Sequence, residues 1–401
     1  MIGESGSTSF RVAGRIKMRI LYIQYTNPAG YPPLQHGSRI LAENGFEVLF
    51  LGTGARGAAA LEFPPHPNVN LKRLTFCPAG WRQKLHYGLF TLWVLFWVLR
   101  WRPRWIYASD CLSCPVAALL SLVPAVRIIY HEHDSPNGTL DKSSSISERF
   151  VRSIRGLVAQ RANLCILPNQ RRAESFKEGT RTERLVLNVW NCPSSKEVKE
   201  RSSRSDSFVL FFHGSIVPAR LPMAIVEALA KLPNEVVLRV AGYETIGHSG
   251  YIQALQNYAS KLGIGHRLSF LGSFVHRDTL LENCSHADVG LALMPLKTAD
   301  INEQAMTGAS NKPFDYLACG LALLVSELAE WKKMFVDPGY GLACDPGDPG
   351  SIAKQLLWFL QHPVETRSMG IKGRQRILSE WNYETQFSPV LQAIGAMGVQ
   401  D

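Results

Sequence analysis

Residues 307–327 read TGASNKPFDYLACGLALLVSE: a loop of small residues, a short helical segment and then an apolar strand. The loop consists of Gly308, Ala309, Ser310 and Asn311. Its backbone amides could cradle a diphosphate, and Lys312 would add a positive charge beside it. Asp315 follows in the first helical turn, where a carboxylate can accept hydrogen bonds from two vicinal hydroxyls of a ribose, or simply stabilise the helix N-terminus.

The rest of the chain repeats this alternation of strand and helix. Short continuous apolar runs are expected of strands covered on both faces, and the longer amphipathic runs between them are expected of crossover helices. In the first half, the apolar runs occupy residues 19–24, 46–51, 104–109, 126–131 and 163–167. In the second half, they occupy residues 208–213, 236–241, 268–272, 288–293 and 322–326. The pattern predicts an α/β fold of two Rossmann-like, doubly wound domains.

The chain length of 401 residues exceeds what one hydrophobic core usually holds. A polar stretch, SSKEVKERSSRSDS at residues 194–207, separates the two series of strands and is expected to be the linker. We therefore expect a flexible tail over residues 1–17, an N-terminal domain over 18–200 and a C-terminal domain over 205–380. The last segment, 381–401, is expected to be a helix that crosses back to the N-terminal domain.

The composition, 46% hydrophobic and 19% charged, excludes a disordered or fibrous chain. Lys and Arg outnumber Asp and Glu by 43 to 33, and the net charge of +10 favours an anionic partner. Eight scattered cysteines, with no basic and then apolar leader, predict a reducing, cytoplasmic compartment. Cys111 and Cys114 form a CxxC, but no second pair of ligands completes a zinc site, so we expect no metal there.

Glycines end three of the predicted strands in the second half. Ligands of doubly wound sheets bind beyond the carboxyl ends of the strands, where a glycine lets them approach the main chain. Gly214 ends the first strand, and Arg220 near the following helix could hold a phosphate. Gly242 ends the next strand, and Tyr243 could lie against a flat base. Gly272 ends the third, so the sequence predicts a ligand site along this sheet edge.

At these residues the chain resembles a known family, the retaining glycosyltransferases of the GT-B fold (the large family-four group). The segments that carry the resemblance are HGSIVPARLPMAIVEAL at 213–229 and NKPFDYLACGLALLVS at 311–326, and it extends over about residues 18–387. The resemblance implies transfer of a sugar from a UDP- or GDP-linked donor, held mainly by the C-terminal domain. The acceptor, a glycan or a lipid-linked molecule, would be held mainly by the N-terminal domain. No cofactor beyond the donor substrate is implied.

The chain departs from the family pattern at two positions. The family commonly has two glutamates separated by seven residues, whereas Thr307 and Asp315 stand here. An Arg often follows the glycine of the phosphate loop, whereas this chain has Ser215, with Arg220 where a Lys is usual. Stabilisation of the departing diphosphate would then depend on Arg220 and Lys312. The sequence has no Asp-x-Asp pair after a strand, so a metal that bridges the diphosphate is not implied. A GT-B protein that binds a nucleotide sugar with little or no catalysis is the alternative.

Candidate acceptor residues follow strands of the first half. His133 resembles the family's histidine near the reacting sugar, and a histidine can exchange a proton near neutral pH. His131, two residues earlier, is an alternative for the same role, and either histidine could instead make a structural hydrogen bond. Asp110 and Gly30 follow two other strands and are candidate acceptor-binding positions.

Residues 63–109 combine basic and aromatic side chains. They include seven Lys or Arg residues, no acidic residue and five tryptophans, of which Trp93, Trp97 and Trp101 could line one side of a helix. The apolar run 88–99 is too short to span a bilayer, so residues 81–105 are predicted to touch an anionic membrane surface from the cytoplasmic side. A buried crossover helix is the alternative. Nucleic-acid binding is not expected, because few aromatic residues accompany the other basic stretch, 149–204.

Overall fold

The computed structural model describes residues 18–136, 146–202 and 207–398. The predicted tail (1–17), the centre of the predicted linker (203–206) and the last residues (399–401) lie outside the described residues.

The first half is a seven-stranded parallel sheet with the order β3-β2-β1-β4-β5-β6-β7. Its strands are β1 (Arg19–Ile23), β2 (Glu47–Thr53), β3 (Val69–Leu74), β4 (Trp105–Ser109), β5 (Arg127–His131), β6 (Leu164–Leu167) and β7 (Val186–Asn188). The helices are α1 (Pro32–Glu43), α2 (Trp81–Trp101), α3 (Cys114–Leu120), α4 (Ile146–Arg161) and α5 (Gln170–Thr180).

The second half is a six-stranded parallel sheet with the order β10-β9-β8-β11-β12-β13. Its strands are β8 (Phe208–Ile216), β9 (Val236–Glu244), β10 (Leu268–Gly272), β11 (Val289–Ala292), β12 (Ala322–Ser326) and β13 (Gly341–Cys344). The helices are α6 (Ala224–Ala230), α7 (Tyr251–Lys261), α8 (Arg277–Ser285), α9 (Ile301–Gln304), α10 (Lys312–Ala318), α11 (Ala329–Trp331), α12 (Pro349–Gln361), α13 (Pro363–Ser379) and α14 (Tyr383–Gly398).

The prediction of two Rossmann-like sheets is confirmed, and each of the ten predicted apolar runs overlaps a strand. The sequence analysis missed three strands, β3, β7 and β13, and all three lie at an edge of a sheet. An edge strand is only partly covered by its neighbours, so its residues need not form a continuous apolar run. In β3, for example, half-buried residues alternate with exposed ones.

Helix α14 belongs to the second half in sequence but packs on the first sheet. Its side chains Tyr383, Phe387, Val390 and Ile394 are buried in the same cluster as Ile20 and Tyr22 of β1. The backbone N–H of Tyr383 donates to the carbonyl of Pro193 at 2.8 Å. The start of α14, where the chain returns to the first half, therefore lies beside Pro193, where the chain leaves it.

Each sheet is covered on both faces. Helices α2, α3 and α4 cover one face of the first sheet, and α1 and α14 cover the other.

Within the part of the chain that the structure describes, no helix has both the length and the apolar character needed to cross a bilayer.

Candidate active site

A cavity of about 340 Å³ lies between the two halves, at the carboxyl edges of both sheets. Its lining includes eleven of the residues that the sequence analysis singled out: Gly30, His133, Gly214, Ser215, Arg220, Gly242, Tyr243, Ala309, Ser310, Asn311 and Lys312. The parallel direction of the strands explains this convergence, because loops that follow neighbouring strands meet at one edge.

Two glycines bring the main chain of the second half close to the cavity. Gly214 and Gly242 are paired in register on β8 and β9, and both have positive φ, +107° and +157°. A Cβ atom on Gly242 would lie 1.9 Å from the carbonyl oxygen of Gly214, so no side chain fits there. At this edge of the sheet, main-chain atoms without side chains therefore face the cavity.

Two cations face this backbone. Arg220 donates from Nη1 to the hydroxyl of Ser215 at 2.9 Å. Lys312, the first residue of α10, is 7% exposed, and its Nζ lies 3.1 Å from the position that a Cβ on Gly214 would occupy. Burial, together with the positive charge of Arg220, lowers the pKa of the Lys312 ammonium to about 7. Among the described residues, neither cation forms an ion pair, so both are available to an anion in the cavity.

Asp315 differs from its expected role as a direct ligand for ribose hydroxyls. Its carboxylate is fully buried and does not line the cavity. Both oxygens instead accept hydrogen bonds from Arg277, at 2.5 Å from Nη2 and 3.2 Å from Nη1, and the same guanidinium donates to Glu197 at 2.8 Å. Arg277 lines the cavity. Arg277 is therefore the side chain that reaches the cavity here, and Asp315 holds its guanidinium in place on the side away from the cavity.

Gly272 and Gly308 also lie outside the cavity lining. Gly272 is exposed and has φ +71°, at the last residue of β10, where the pairing with β9 shifts register. Gly308 packs against Trp190, since a Cβ there would lie 2.6 Å from the indole, and its carbonyl accepts from the N–H of Asn191 at 2.7 Å. Residues that directly follow both glycines, Ser273 and Ala309, line the cavity, so the ligand contact expected of the glycines stays a prediction.

His133 lines the wall of the cavity that the first half contributes, whereas His213 lines the wall of the second half. Nε2 of His133 lies 3.2 Å from the hydroxyl of Ser109, and its ring packs 5.2 Å from the ring of Tyr31. Burial lowers the pKa of the His133 imidazole, so the ring is neutral at pH 7. A neutral imidazole offers one donor and one acceptor to a ligand hydroxyl.

His131 and Asp110 support His133 and do not line the cavity, and their contact with an acceptor stays a prediction. His131 is fully buried, and its Nδ1 is 2.6 Å from the hydroxyl of Tyr107. Its ring centroid lies 3.9 Å from that of His133. The Asp110 carboxylate accepts a hydrogen bond from the backbone N–H of His133 at 2.9 Å. These two residues therefore fix the position of His133.

Arg172, which the sequence analysis missed, joins the two halves beside the cavity. It is 2% exposed, and it donates to the carbonyl of His133 at 2.6 Å. It also donates to the carbonyls of Asn302 and Ala305 in the second half, at 2.8 and 3.1 Å. The side chain of Asn302 and the backbone of Ser135 exchange two further hydrogen bonds of 2.9 Å. The loop that leads to Lys312 is thus attached to the strand end that carries His133.

Among the described residues, no group of three or more His, Cys, Asp or Glu side chains is arranged to hold a metal ion.

Comparison with known proteins assigns both halves of the chain. A family model described as glycosyl transferase 4-like domain matches residues 34–187, and one described as glycosyl transferase-like matches residues 223–392. A GDP-mannose-dependent alpha-(1-6)-phosphatidylinositol monomannoside mannosyltransferase of Mycolicibacterium smegmatis is 22% identical over 189 residues. That alignment covers 47% of this chain and 48% of the relative, so it spans about half the length of each.

Two solved structures have the same fold over nearly the whole chain. Sucrose-phosphate synthase of Thermosynechococcus elongatus has a TM-score of 0.73 at 15% identity, with 96% of this chain and 100% of that one covered. Anabaena Alr3699/HepE in complex with UDP and glucose has a TM-score of 0.70 at 17% identity, with 94% and 100% covered. Since a glycosyltransferase model matches each half and the two sheets form the GT-B fold, the chain belongs to the group 1, family-four-like glycosyltransferases.

Proposed function

We propose that this protein transfers a sugar from a UDP- or GDP-linked donor to a hydroxyl of a glycan or lipid-linked acceptor, with retention at the anomeric carbon and without a metal. The proposal rests on how charged and polar residues are arranged around one cavity. Lys312 and Arg220 face bare backbone on its donor side, and His133 faces the same space from the other half. The two cations can neutralise a diphosphate, which in a metal-dependent enzyme is the task of a divalent ion.

The diphosphate of the donor is proposed to lie between Lys312, Arg220 and the backbone at Gly214. Lys312 reaches the space that the absent Cβ of Gly214 leaves open, and Arg220 lines the same cavity beside Ser215. Tyr243, which is 39% exposed at the rim, can pack on the base. Arg277 can donate to a ribose or sugar hydroxyl in place of the acidic residue that the family pattern suggests.

In the proposed reaction, the bond between the anomeric carbon and the donor phosphate oxygen breaks, and a bond to the acceptor oxygen forms. The proton of the acceptor hydroxyl passes to the departing phosphate oxygen. Negative charge grows on that diphosphate in the transition state, and cations held in a buried site stabilise such charge strongly. Neutral His133 is proposed to orient a hydroxyl of the transferred sugar. Retention is proposed on the resemblance of the two donor-side motifs to the retaining family.

The acceptor class and the compartment are proposed on other grounds. The name of the mycobacterial relative includes a phosphatidylinositol monomannoside, which supports a lipid-linked acceptor for this chain. All eight cysteines are free, which supports the reducing cytoplasm as the compartment.

A nucleotide-sugar-binding protein with little turnover is the second candidate function. Two observations favour it: Thr307 takes the position of the family's first acidic residue, and Asp315 is engaged by Arg277. Hydrolysis or transfer of the donor sugar separates the two candidates, since only an enzyme releases the nucleoside diphosphate continuously.

The test begins with a thermal-shift panel of UDP, GDP, ADP and TDP. A ligand present at about 100 times its Kd adds about 2.7 kcal/mol to the apparent free energy of unfolding. Calorimetry with the nucleotide so selected then compares Lys312→Ala with Lys261→Ala, an exposed lysine of the same half. We expect only Lys312→Ala to weaken binding, by about 1.5 to 3 kcal/mol, the usual contribution of a charged hydrogen bond.

Equal affinity in the two variants would overturn the donor-site assignment. The enzymatic part of the proposal is tested by release of nucleotide from the matching sugar donor with and without EDTA. We expect the same rate in both. Activity that EDTA abolishes and Mn²⁺ or Mg²⁺ restores would overturn metal independence, and binding without any turnover would favour the second candidate.

A further inference from the structure

Helix α2 carries an apolar stripe on its outward face. The stripe, called the α2 face below, consists of Trp81, Leu85, Leu89, Leu92, Phe96 and Leu99, whose exposed fractions run from 56% to 77%. The intervals between them are four, four, three, four and three residues. At 3.6 residues per turn, the six positions fall within a sector of about 80°. They therefore form one continuous line along the helix.

The packing of the helix on the sheet does not need this stripe. Phe90, Val94 and Val98 on the opposite side are buried in the core of the first half. The outward side of a helix that merely covers a sheet is expected to be polar. A second apolar side, facing away from the protein, thus indicates a second apolar surface that covers it.

Trp93, Trp97 and Trp101, which the sequence analysis placed on one side of a helix, are not part of this second surface. Trp93, Trp97 and Trp101 are half-buried on the flank of the helix and pack against the core. Exposed leucines, together with Trp81 and Phe96, occupy the outward positions instead.

Positive charge surrounds the α2 face. Arg82 and Lys84 flank its first turn and Arg100 and Arg102 flank its last, and all four are exposed. Residues 63–109 contain no Asp or Glu. An apolar line bordered by cations alone is complementary to a lipid surface that is apolar below and anionic at the headgroups.

Further apolar side chains are exposed in the segment that follows β4. The hydroxyl of Tyr87 in α2 donates to the carbonyl of Leu112 at 2.7 Å, which attaches the segment before α3 to α2. Leu112 is 45% exposed, and Leu119, Leu122 and Val123, on and just after α3, are also exposed.

We propose that the α2 face lies in the interface of an anionic membrane, with its apolar side chains below the headgroups and its arginines and lysines among them. A second copy of the chain is a poorer occupant, because a symmetric contact would bring two sets of cations together with no carboxylate between them. The inference goes beyond sugar transfer and does not depend on it.

The N-terminal end of α2 contacts the segment that leads into the cavity lining. The hydroxyl of Tyr25, just after β1, is 2.8 Å from Nδ1 of His86 and 3.3 Å from the carbonyl of Gln83. The loop that follows Tyr25 supplies Ala29, Gly30 and Tyr31 to the cavity lining. A membrane in contact with the α2 face would therefore present a lipid-borne acceptor at the N-terminal end of this helix, on the side of His133.

The test is sedimentation with vesicles of phosphatidylcholine containing 0 to about 40% phosphatidylglycerol, without nucleotide. We expect binding of the wild type to rise with anionic content and to fall with salt. The variant Leu89→Gln, Leu92→Gln, Leu99→Gln removes three outward leucines while keeping good helix formers, and should weaken partition at least on the order of 100-fold. The control Val364→Gln, Ile371→Gln, Leu378→Gln changes three exposed apolar residues of α13 and should bind like the wild type.

A second variant tests the charges independently of the apolar stripe. Arg82→Gln, Lys84→Gln, Arg100→Gln should weaken binding roughly 100-fold at low salt, whereas Lys231→Gln, Lys261→Gln, Lys354→Gln in the second half should not. A wild type that stays in the supernatant, or equal binding by each variant and its control, overturns the proposal. A dimer that the leucine variant dissociates would assign the α2 face to a second copy and also overturns it. Nucleotide affinity, measured in parallel, should be unchanged in all four variants, so failure here is distinct from failure of the proposed function.

Discussion

Donor binding should draw a proton onto Lys312. The ammonium is almost fully buried beside Arg220, and its pKa is lowered from 10.5 to about 7. At pH 8, only about one-tenth of the free protein carries this charge. A diphosphate placed between Lys312 and Arg220 would favour the charged form and return the pKa toward its ordinary value. Binding at pH 8 should therefore take up about 0.9 proton from the buffer, and binding at pH 6 almost none.

The assay is calorimetry of the nucleoside diphosphate in two buffers of different ionisation enthalpy, phosphate and Tris, at pH 6 and pH 8. The difference in apparent enthalpy between buffers gives the number of protons taken up. By linkage, the Kd should also rise nearly tenfold between pH 8 and pH 9. Lys312→Met, which keeps the length of the apolar stem, should abolish the uptake and weaken binding about 10- to 150-fold at pH 6. Uptake that persists in Lys312→Met would refute the reasoning.

The lowered pKa of Lys312 also determines how the free energy of unfolding of the free protein changes with pH. Because burial disfavours the charged lysine, the unfolded chain binds more protons than the folded one between pH 7 and 10.5. The destabilisation is complete below pH 7, where it amounts to roughly 5 kcal/mol, and it disappears as the pH rises to 10.5. Lys312→Met should thus stabilise the free protein most at pH 6 and least above pH 10. An equal gain at both pH values would contradict a lowered pKa.

Three further predictions concern the residues around the cavity. Asp315→Asn leaves the buried guanidinium of Arg277 with one charged partner, and we expect the free energy of unfolding to fall by about 3 kcal/mol in urea titrations; no change would show that the pair is not structural. His133→Ala should lower turnover far more than nucleotide affinity, because the donor is held by the other half; equal losses in both would place it on the donor. Arg172→Met should raise protease sensitivity of the loop around Ala305 and lower turnover, and a protein that keeps wild-type values in both assays would argue against a connection between the halves.

The sequence predicted best the location of residues near the carboxyl ends of central strands. Gly214 and Gly242 lie within two residues of the ends of β8 and β9, and parallel strands bring such positions to one edge of the sheet. The central strands were recognisable for a similar reason, since burial on both faces requires a continuous apolar run. Local sequence is sufficient information in both cases.

Other residues could not be predicted because their roles depend on contacts between distant segments. Arg277 is one of many arginines until the fold brings it against Asp315 and Glu197. Arg172 likewise gains its role only when the second half meets it.

The α2 face illustrates a different limit of sequence analysis. A spacing of four identifies one side of the helix. It does not tell which side packs on the sheet when both sides are apolar. In the structure, Trp93, Trp97 and Trp101 pack against the core, and the leucines occupy the outward side together with Trp81 and Phe96.

The contacts of Arg172 have a consequence for how the two halves act together. One guanidinium holds the carbonyl of His133 and the carbonyls of Asn302 and Ala305, so the acceptor-side histidine and the loop that leads to Lys312 are separated by a single side chain. Separation of the halves at this point would cost the buried guanidinium its hydrogen bonds to Asn302 and Ala305, which is unfavourable. We therefore expect the halves to stay attached at Arg172 when a nucleotide enters the cavity, so that the loop before Lys312 and His133 keep their relative position.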